Sequence, residues 1–378
     1  MVFSNGRFSV KSILKSVDPI ILACMLILSC MSLLTVIGGA AEFGNRRLIM
    51  QLAMNAVGIV ATFIIARLDY RDIGDRFSLP VFIGSIVFLC LVFVPGLGLS
   101  EGTNRSWINI PIIDIGIQPS EFVKASFILT FAKHLHTLRD QINHPKSLLA
   151  LGIHAGIIIG LILLSGDLGV ALVYAGIVLI MLFTAGLSLW YFLGAAGTLV
   201  VAFPLLWPHL NSYQQNRILY GFKPENDPLH VGQQPLQSRD AIIRGGLWGE
   251  GMFDGNVYKK MYAADTDFIF STYCEKFGFI GAILLIVVML VFVWRLIRLA
   301  RLSRHDYGAY ICIGIAAMII VQTAENIGMC LCMLPVVGIT LPFMSCGGSS
   351  TLAIYITLGM VHSIYNHRVR FYYERDRR

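Results

Sequence analysis

Nine apolar runs, each long enough to cross a bilayer, decide what this chain can fold into. They lie near residues 19–39, 48–66, 79–97, 148–165, 168–186, 188–207, 277–295, 308–325 and 348–365. A helix needs about 20 apolar residues to span the hydrocarbon core. A tenth run, about 119–136, carries Glu121 and Lys124, and hydropathy alone leaves it open. Composition points the same way: 56% of the residues are hydrophobic, 13% are charged, and the mean hydropathy is +0.72. A soluble domain carries about 25% charged residues. Soluble enzymes, disordered chains and nucleic-acid-binding modules are thereby excluded. The expected fold class is an all-α polytopic membrane protein with about ten transmembrane helices, one domain over 1–378, and one large extracytoplasmic loop at about 208–266.

Charge placement tests the count of ten. With ten helices both termini share one side, and eighteen basic residues fall there, among them Arg7, Lys11, Lys15, Arg67, Lys133, Arg139, Arg295, Arg304, Arg377 and Arg378. The short loops opposite hold Arg46, Arg47 and Arg105. Cytoplasmic loops carry the excess of Lys and Arg, so ten helices with both ends cytoplasmic is the expected topology. One helix more or fewer would destroy the asymmetry. The first run is long enough to stay as an anchor and is not read as a cleavable signal. The eight cysteines show no zinc-type spacing and mostly lie in apolar runs, which reads as buried small hydrophobes. The loop at 208–266 holds Leu236, Ile242, Ile243, Leu247 and Trp248, more apolar surface than a linker needs. Part of it is expected to pack on the membrane domain.

Charges and irregular backbone at membrane depth are costly and usually face a cavity. Four places qualify. In Gln118-Pro119-Ser120-Glu121-Phe122-Val123-Lys124, Pro119 can open a helix and the two charges, three apart, share one face. They read equally well as a structural ion pair. Ser165-Gly166-Asp167-Leu168-Gly169 sets a carboxylate at an outward-facing helix start, where it reads equally as a cap. Asp265-Thr266-Asp267 places two acids where the outer loop re-enters the membrane, with N-capping again the plainer reading. From Leu334 to Ser350, two prolines and three glycines give broken backbone, tolerated only inside protein or along a cavity. All four would lie at the outer face. Spacing alone leaves transport and chemistry on a lipid-linked substrate both open.

The same segments, in the same order, resemble the SEDS family (shape, elongation, division, sporulation) of bacterial peptidoglycan glycosyltransferases. The resemblance rests on Arg105-Ser106-Trp107, Gln118-Pro119-Ser120-Glu121 with Lys124, Asp167-Leu168-Gly169, Asp227-Pro228-Leu229, Gln237-Ser238, Thr266-Asp267-Phe268-Ile269-Phe270, Asn326-Ile327-Gly328-Met329 and the Leu334–Ser350 stretch. Asp227-Pro228-Leu229 and Asp69-Tyr70 lean toward the elongation (RodA-like) branch over the division (FtsW-like) and sporulation branches. The chain departs from the family pattern at Met261 to Asp265, at Glu275-Lys276 where two glutamates are usual, at Arg244, and at Cys346 where a tyrosine is usual.

What the resemblance implies is polymerisation of lipid II into glycan strands at the outer face of the bacterial cytoplasmic membrane. Asp267 is the expected catalytic base. A sugar hydroxyl is a poor nucleophile, and a base within hydrogen-bond reach helps it. Lys124, Glu121, Asp167, Arg105, Arg217, Arg239, Ser345 and Ser349 are the expected substrate-binding residues. The departing pyrophosphate needs cations, from Arg217, Arg239, Arg244, Lys124 or a divalent ion such as Mg2+ or Mn2+. Asp265 and Asp267 are expected to repel each other and titrate jointly. The implied partners are lipid II, undecaprenyl-linked glycan, a class B penicillin-binding transpeptidase and the membrane, with no nucleic acid. Two other readings fit the same cavity: a flippase for a lipid-linked precursor, and a catalytically weak scaffold for a cell-wall synthase.

Overall fold

The computed structural model describes residues 17–101, 104–110, 115–209 and 212–375. Arg7, Lys11, Lys15, Arg377 and Arg378 lie outside the described residues. Ten long helices stand at the ten expected positions: α1 (Pro19–Gly38), α2 (Asn45–Ile65), α3 (Tyr70–Cys90), α4 (Pro119–Leu138), α5 (Pro145–Leu164), α6 (Leu168–Thr184), α7 (Leu189–Leu206), α8 (Ile269–Leu302), α9 (Asp306–Cys330) and α10 (Gly348–Arg375). The chain is a polytopic membrane protein. Its exposed side chains are largely those that suit hydrocarbon, such as Leu79 and Ile83 on α3 and Leu193 and Val200 on α7. The side expected to be cytoplasmic is called inner below, the other outer.

Local chemistry sets where the helices begin. Pro19, Pro119 and Pro145 take first-turn positions, where a missing N–H costs nothing. Asp18 caps α1 by accepting from Ile20 and Ile21 N–H, both at 3.1 Å. The same carboxylate takes the Arg295 guanidinium at 2.9 and 2.5 Å, and its own N–H donates to His362 Nδ1 at 3.1 Å. One buried aspartate thus ties the inner ends of α1, α8 and α10 together. The open question over the tenth run closes the same way: Lys124 Nζ lies 2.8 Å from Glu121 Oε1, so α4 carries its two charges as a neutral pair.

At the middle of the bundle, α9 packs on α8, α6 and α4, while α10 lies along α2. Small residues let helices approach: Gly58 faces the Tyr355 ring so closely that a Cβ would come 2.4 Å from it. Outermost is α7, in which no described residue is buried. Of the eight cysteines, Cys24, Cys274, Cys312, Cys330 and Cys346 are buried, Cys332 is half-buried, and Cys30 and Cys90 are exposed.

Two features extend the expected layout. A small antiparallel sheet, β1 (Gly98–Glu101), β2 (Asn104–Ile110) and β3 (Ile115–Ile117), leads from α3 into α4, pairing Leu99 with Trp107 and Asn109 with Gly116. The fold is all-α as expected apart from this short stretch: backbone at the membrane surface still needs partners, and this stretch finds them in itself. In the outer loop, helices Ser212–Phe222 and Gln233–Gly245 form, and the second packs on α8. Ser238 Oγ meets Ser271 Oγ at 2.5 Å and donates to Cys330 O at 2.8 Å. The expected packing of the loop on the membrane domain is present. Reporters inserted near His144 and in the α8–α9 connection at Ser303 to His305 are expected to read cytoplasm, and one near Asn226 exterior. An interior signal at Asn226 would overturn the orientation.

Candidate active site

Asp267 sits in the turn that delivers the outer loop into α8. Ala263, at φ 57, accepts from the N–H of both Thr266 and Phe268 at 3.1 Å. Thr272 Oγ1 donates to Ala264 O at 2.8 Å, Cys346 N–H to Asp265 O at 2.8 Å, and Ser345 Oγ to Thr266 O at 2.7 Å. Asn326 Nδ2, from α9, donates to Asp267 O at 2.7 Å and to Ile339 O at 2.6 Å. Every carbonyl from Ala263 to Asp267 is thereby occupied, and the turn is rigid. The half-buried Asp267 carboxylate lies against Gly338, whose φ of +72 favours glycine and whose missing Cβ would stand 3.3 Å from Oδ2.

The other marked places converge on this turn. Asp167 caps α6 through Val170 N–H at 3.1 Å and accepts from Gln118 Nε2 at 3.0 Å. Gln118 N–H in turn donates to Ser349 Oγ at 3.2 Å. Gly169 lies under Val337 O, which a Cβ would approach to 2.6 Å. The starts of α4 and α6 are thus stitched to the broken 334–350 segment. Beneath them, Glu121, Lys124, Gln322, Thr340, Ser350 and Thr351 help line a narrow crevice. Burial pushes the Asp167 carboxyl above the ordinary range.

Asp265 has a different neighbour from the one expected. Its carboxyl is raised mainly by burial, and Arg47 is the charge that pulls it back. Arg47 Nε stands 3.2 Å from Asp265 Oδ2, within ion-pair reach but without hydrogen-bond alignment. The expected repulsion from Asp267 is not what moves this group. Desolvation is, because the side chain is buried behind Cys346 N–H and the α2 start.

The remaining expected contacts divide. Glu121 and Lys124 reach the crevice but as a buried pair, 5% and 2% exposed. Ser345 both donates to Thr266 O and accepts from Leu341 N–H at 2.7 Å, so its hydroxyl braces two segments where it lines the crevice. Ser349 likewise serves Gln118. Arg239 is taken by Glu225 at 2.6 Å within the loop, and Arg244 by Asp240 at 3.3 Å. Arg105 is exposed on β2, its N–H held by Ser165 O at 2.9 Å, and Arg217 lies half-buried on the loop helix Ser212–Phe222. Among the described residues no three His, Cys, Asp or Glu come together to hold a metal. Sequence reasoning missed Gln118, Gln322 and Glu325 as individual actors, and gave Asn326 no role. Gln322, Glu325 and Asn326 stand three and four apart in an apolar helix, a spacing that marks one polar face. Glu325 keeps a buried Oε2 with no hydrogen-bond partner among the described residues.

Comparisons with known proteins bear on the family and the fold. The family model for FtsW, RodA and SpoVE, described as cell cycle protein, matches residues 9–370. A probable peptidoglycan glycosyltransferase FtsW of Trichlorobacter lovleyi is 33% identical over 327 residues, 86% of this chain and 84% of that one. Stage V sporulation protein E of Bacillus subtilis is 34% identical over 326 residues (83% and 85%). The peptidoglycan glycosyltransferase MrdB of Escherichia coli is 32% identical over 358 (93% and 94%). A chain of a peptidoglycan synthase complex, solved to show coordination of polymerization and crosslinking, superposes with TM-score 0.81 at 27% identity, covering 93% of this chain and 98% of its own. The rod shape determining protein RodA of Thermus thermophilus shares the fold at TM-score 0.70 and 24% identity, covering 93% and 97%.

Two variants probe the charges. A raised Asp265 means that the folded state holds this proton more tightly than the unfolded chain. Stability from this group therefore falls as pH rises from the ordinary value, 3.8, through the raised folded one. Arg47→Gln raises the folded value further, so its loss in Tm is expected to be larger at neutral than at acid pH and to vanish in an Asp265→Asn background. A pH-independent loss would remove the ion pair from the account. Lys124→Ala strands a buried carboxylate at a cost of about 3–5 kcal/mol. The paired variant Glu121→Gln/Lys124→Met is expected to recover most of that Tm loss in thermal unfolding of the purified protein.

Proposed function

This chain belongs to the FtsW/RodA/SpoVE (SEDS) family of cell cycle proteins, and from that premise we propose that it polymerises lipid II into glycan strands at the outer membrane face. The acceptor's 4-hydroxyl attacks the anomeric carbon of the lipid-linked donor. One C–O bond forms, the C–O bond to phosphate breaks, and its electrons leave with undecaprenyl pyrophosphate. Asp267 takes the hydroxyl proton. One acid is enough for a single inverting displacement, with no sugar–enzyme intermediate.

The observation that carries this reading is the Asp267 turn. Its carbonyls are occupied by Asn326, Ser345, Cys346 and Thr272, and its half-buried carboxylate lies against Gly338. A base needs that fixed position and access to the proton it removes. Half-exposed Arg47, beside Asp265, offers positive charge at the rim, and Lys124 offers it in the crevice. No step runs through a metal ion. Glu121 and Asp167 act through Lys124 and Gln118, respectively, and Arg105 and Arg217 remain candidates for the pyrophosphate or glycan.

We further propose service in cell elongation with a class B penicillin-binding transpeptidase as partner. Asp69-Tyr70 and Asp227-Pro228-Leu229 support the first, and both are built into the structure. Asp69 caps α3 and pairs with Arg71 at 2.7 Å, while Asp227 accepts from His230 and Val231. The likeness to a chain of a peptidoglycan synthase complex supports the second.

Purified protein given lipid II is expected to make polymer. Asp267→Asn is expected to fold and to bind lipid II yet lose polymerisation by 10²-fold or more, about the contribution of general-base catalysis. In cells depleted of the native protein, the same variant is expected to leave rounded cells; filaments would place the protein in division. A residual rate within about tenfold of wild type would sink Asp267 as base. Movement of lipid II across vesicles without polymer would favour a flippase.

A further inference from the structure

The outer loop reaches deeper than its sequence suggests. Helix α8 is interrupted at Gly278, at φ 67 and ψ −168. Residues 246–251 enter that break: Phe279 N–H donates to Gly246 O at 2.8 Å and Ile280 N–H to Leu247 O at 3.2 Å. In return, Glu250 N–H donates to Glu275 O at 2.8 Å and Gly251 N–H to Lys276 O at 3.3 Å. The backbones touch so closely that a Cβ on Gly278 would stand 2.4 Å from Gly249 N, and one on Gly249 2.1 Å from Lys276 O.

Two independent rulers give the depth of this splice. The inner boundary is marked by Asp18 with Arg295, where α1 starts and α8 carries its first inner charge. From there α1 runs 20 residues to Gly38, about 30 Å, the thickness of the hydrocarbon core. Lys276 Nζ donates to Gly38 O at 3.0 Å, so the outer boundary passes near Lys276. Ile280 lies fifteen residues from Arg295, which at 1.5 Å per residue is about 22 Å. Leu247, level with Ile280, therefore sits about one helical turn inside the outer boundary, and Trp248 follows it beside the break at Gly278.

At that depth their side chains are bare. Trp248 is 80% exposed and Leu247 62%. They cap a continuous exposed apolar stripe on α8 formed by Phe279, Ile280, Ile283 and Leu284. Non-helical backbone is tolerated at this depth only when its polar groups are paired, and the splice into α8 pairs them. Tryptophan is also the residue that favours the membrane interface.

We propose that Leu247 and Trp248 form a wedge seated in the acyl chains of the outer leaflet, making the outer loop a membrane-anchored element. The occupant is bilayer lipid, by continuity with the lipid-facing stripe of α8. Being spliced to the helix that begins at Ile269, the wedge fixes the height of the Asp267 turn relative to the bilayer. This inference does not depend on the reaction proposed above.

The full chain, reconstituted in phosphatidylcholine vesicles with and without brominated acyl chains, tests it. The Trp248 signal is the difference between wild-type emission and that of Trp248→Phe, with Trp248→Tyr as a second subtraction if the first variant folds poorly. Expected is loss of most of that difference signal in brominated vesicles, with little quenching by aqueous iodide. Quenching by iodide alone would put the wedge in water. Protection from both quenchers would put it under a second copy or another protein. Either of those results overturns the proposal.

Discussion

One carboxamide decides whether the outer face can hold a reaction site. Asn326 Nδ2 donates to Asp267 O and to Ile339 O, joining the turn before α8 to the broken segment after α9. Both segments are irregular backbone at membrane depth, where an unmet carbonyl costs several kcal/mol. Without that bridge each would have to regularise or fray. With it, α9, a largely buried helix, becomes the post on which both are hung. Ser345 and Cys346 then add their bonds to Thr266 and Asp265 at the same junction. Phe268, and not Asp267, takes the N-cap position of α8 and makes no side-chain hydrogen bond there.

A second pair of residues does for the outer loop what Asn326 does for the turn. Glu275 and Lys276 are two adjacent charges buried near the outer end of a membrane helix, which would be costly if either were left unmet. Glu275 collects the N–H groups of Asn256, Val257 and Tyr258 at 2.8–2.9 Å. Lys276 crosses to Gly38 O and Met252 O, with its ammonium 4.0 Å from the Tyr258 ring centroid. A lysine at a place where the family pattern has glutamate is thus accounted for by what it reaches: a helix end rich in free carbonyls, which a cation suits and an anion does not.

Helix positions were legible because an apolar run of about twenty residues has few alternatives. Even the charged run at α4 was readable once Glu121 and Lys124 were seen to share a face. The four irregular places were also legible as places, since Pro, Gly and acid in apolar surroundings are conspicuous. Their partners were not. Arg47 and Asp265 belong to distant segments, and a local reading paired Asp265 with Asp267 two residues away instead. The backbone bonds of Ser345 and Ser349 were not legible, because a serine's hydroxyl reads the same in sequence whether it meets a substrate or a backbone N–H. Asn326 did carry a signal: a carboxamide in a helix otherwise built to be buried must satisfy itself across the bundle. The sheet gave little warning, because its strands of three to seven residues fall below the length at which alternation stands out.

The placement of charge follows from what each group must do. Glu121 and Lys124 lie in the crevice, where an isolated ion is costly, and they answer that cost by pairing. A group that must accept a proton and release it to water cannot be locked in that way. Asp267 is half-buried at the rim, with its main chain fixed and its carboxylate against a glycine. A lipid-linked substrate has little freedom in height, since its hydrocarbon stays in the bilayer and its pyrophosphate at the headgroups. With Asp267 as the proposed base, that carboxylate has to stand at a level the membrane dictates. The run of α1 from Asp18 to Gly38 sets the thickness, and the Lys276 bond to that helix end carries it across to α8. The bilayer is the reference plane of the site, and the helix lengths are how the sequence encodes it.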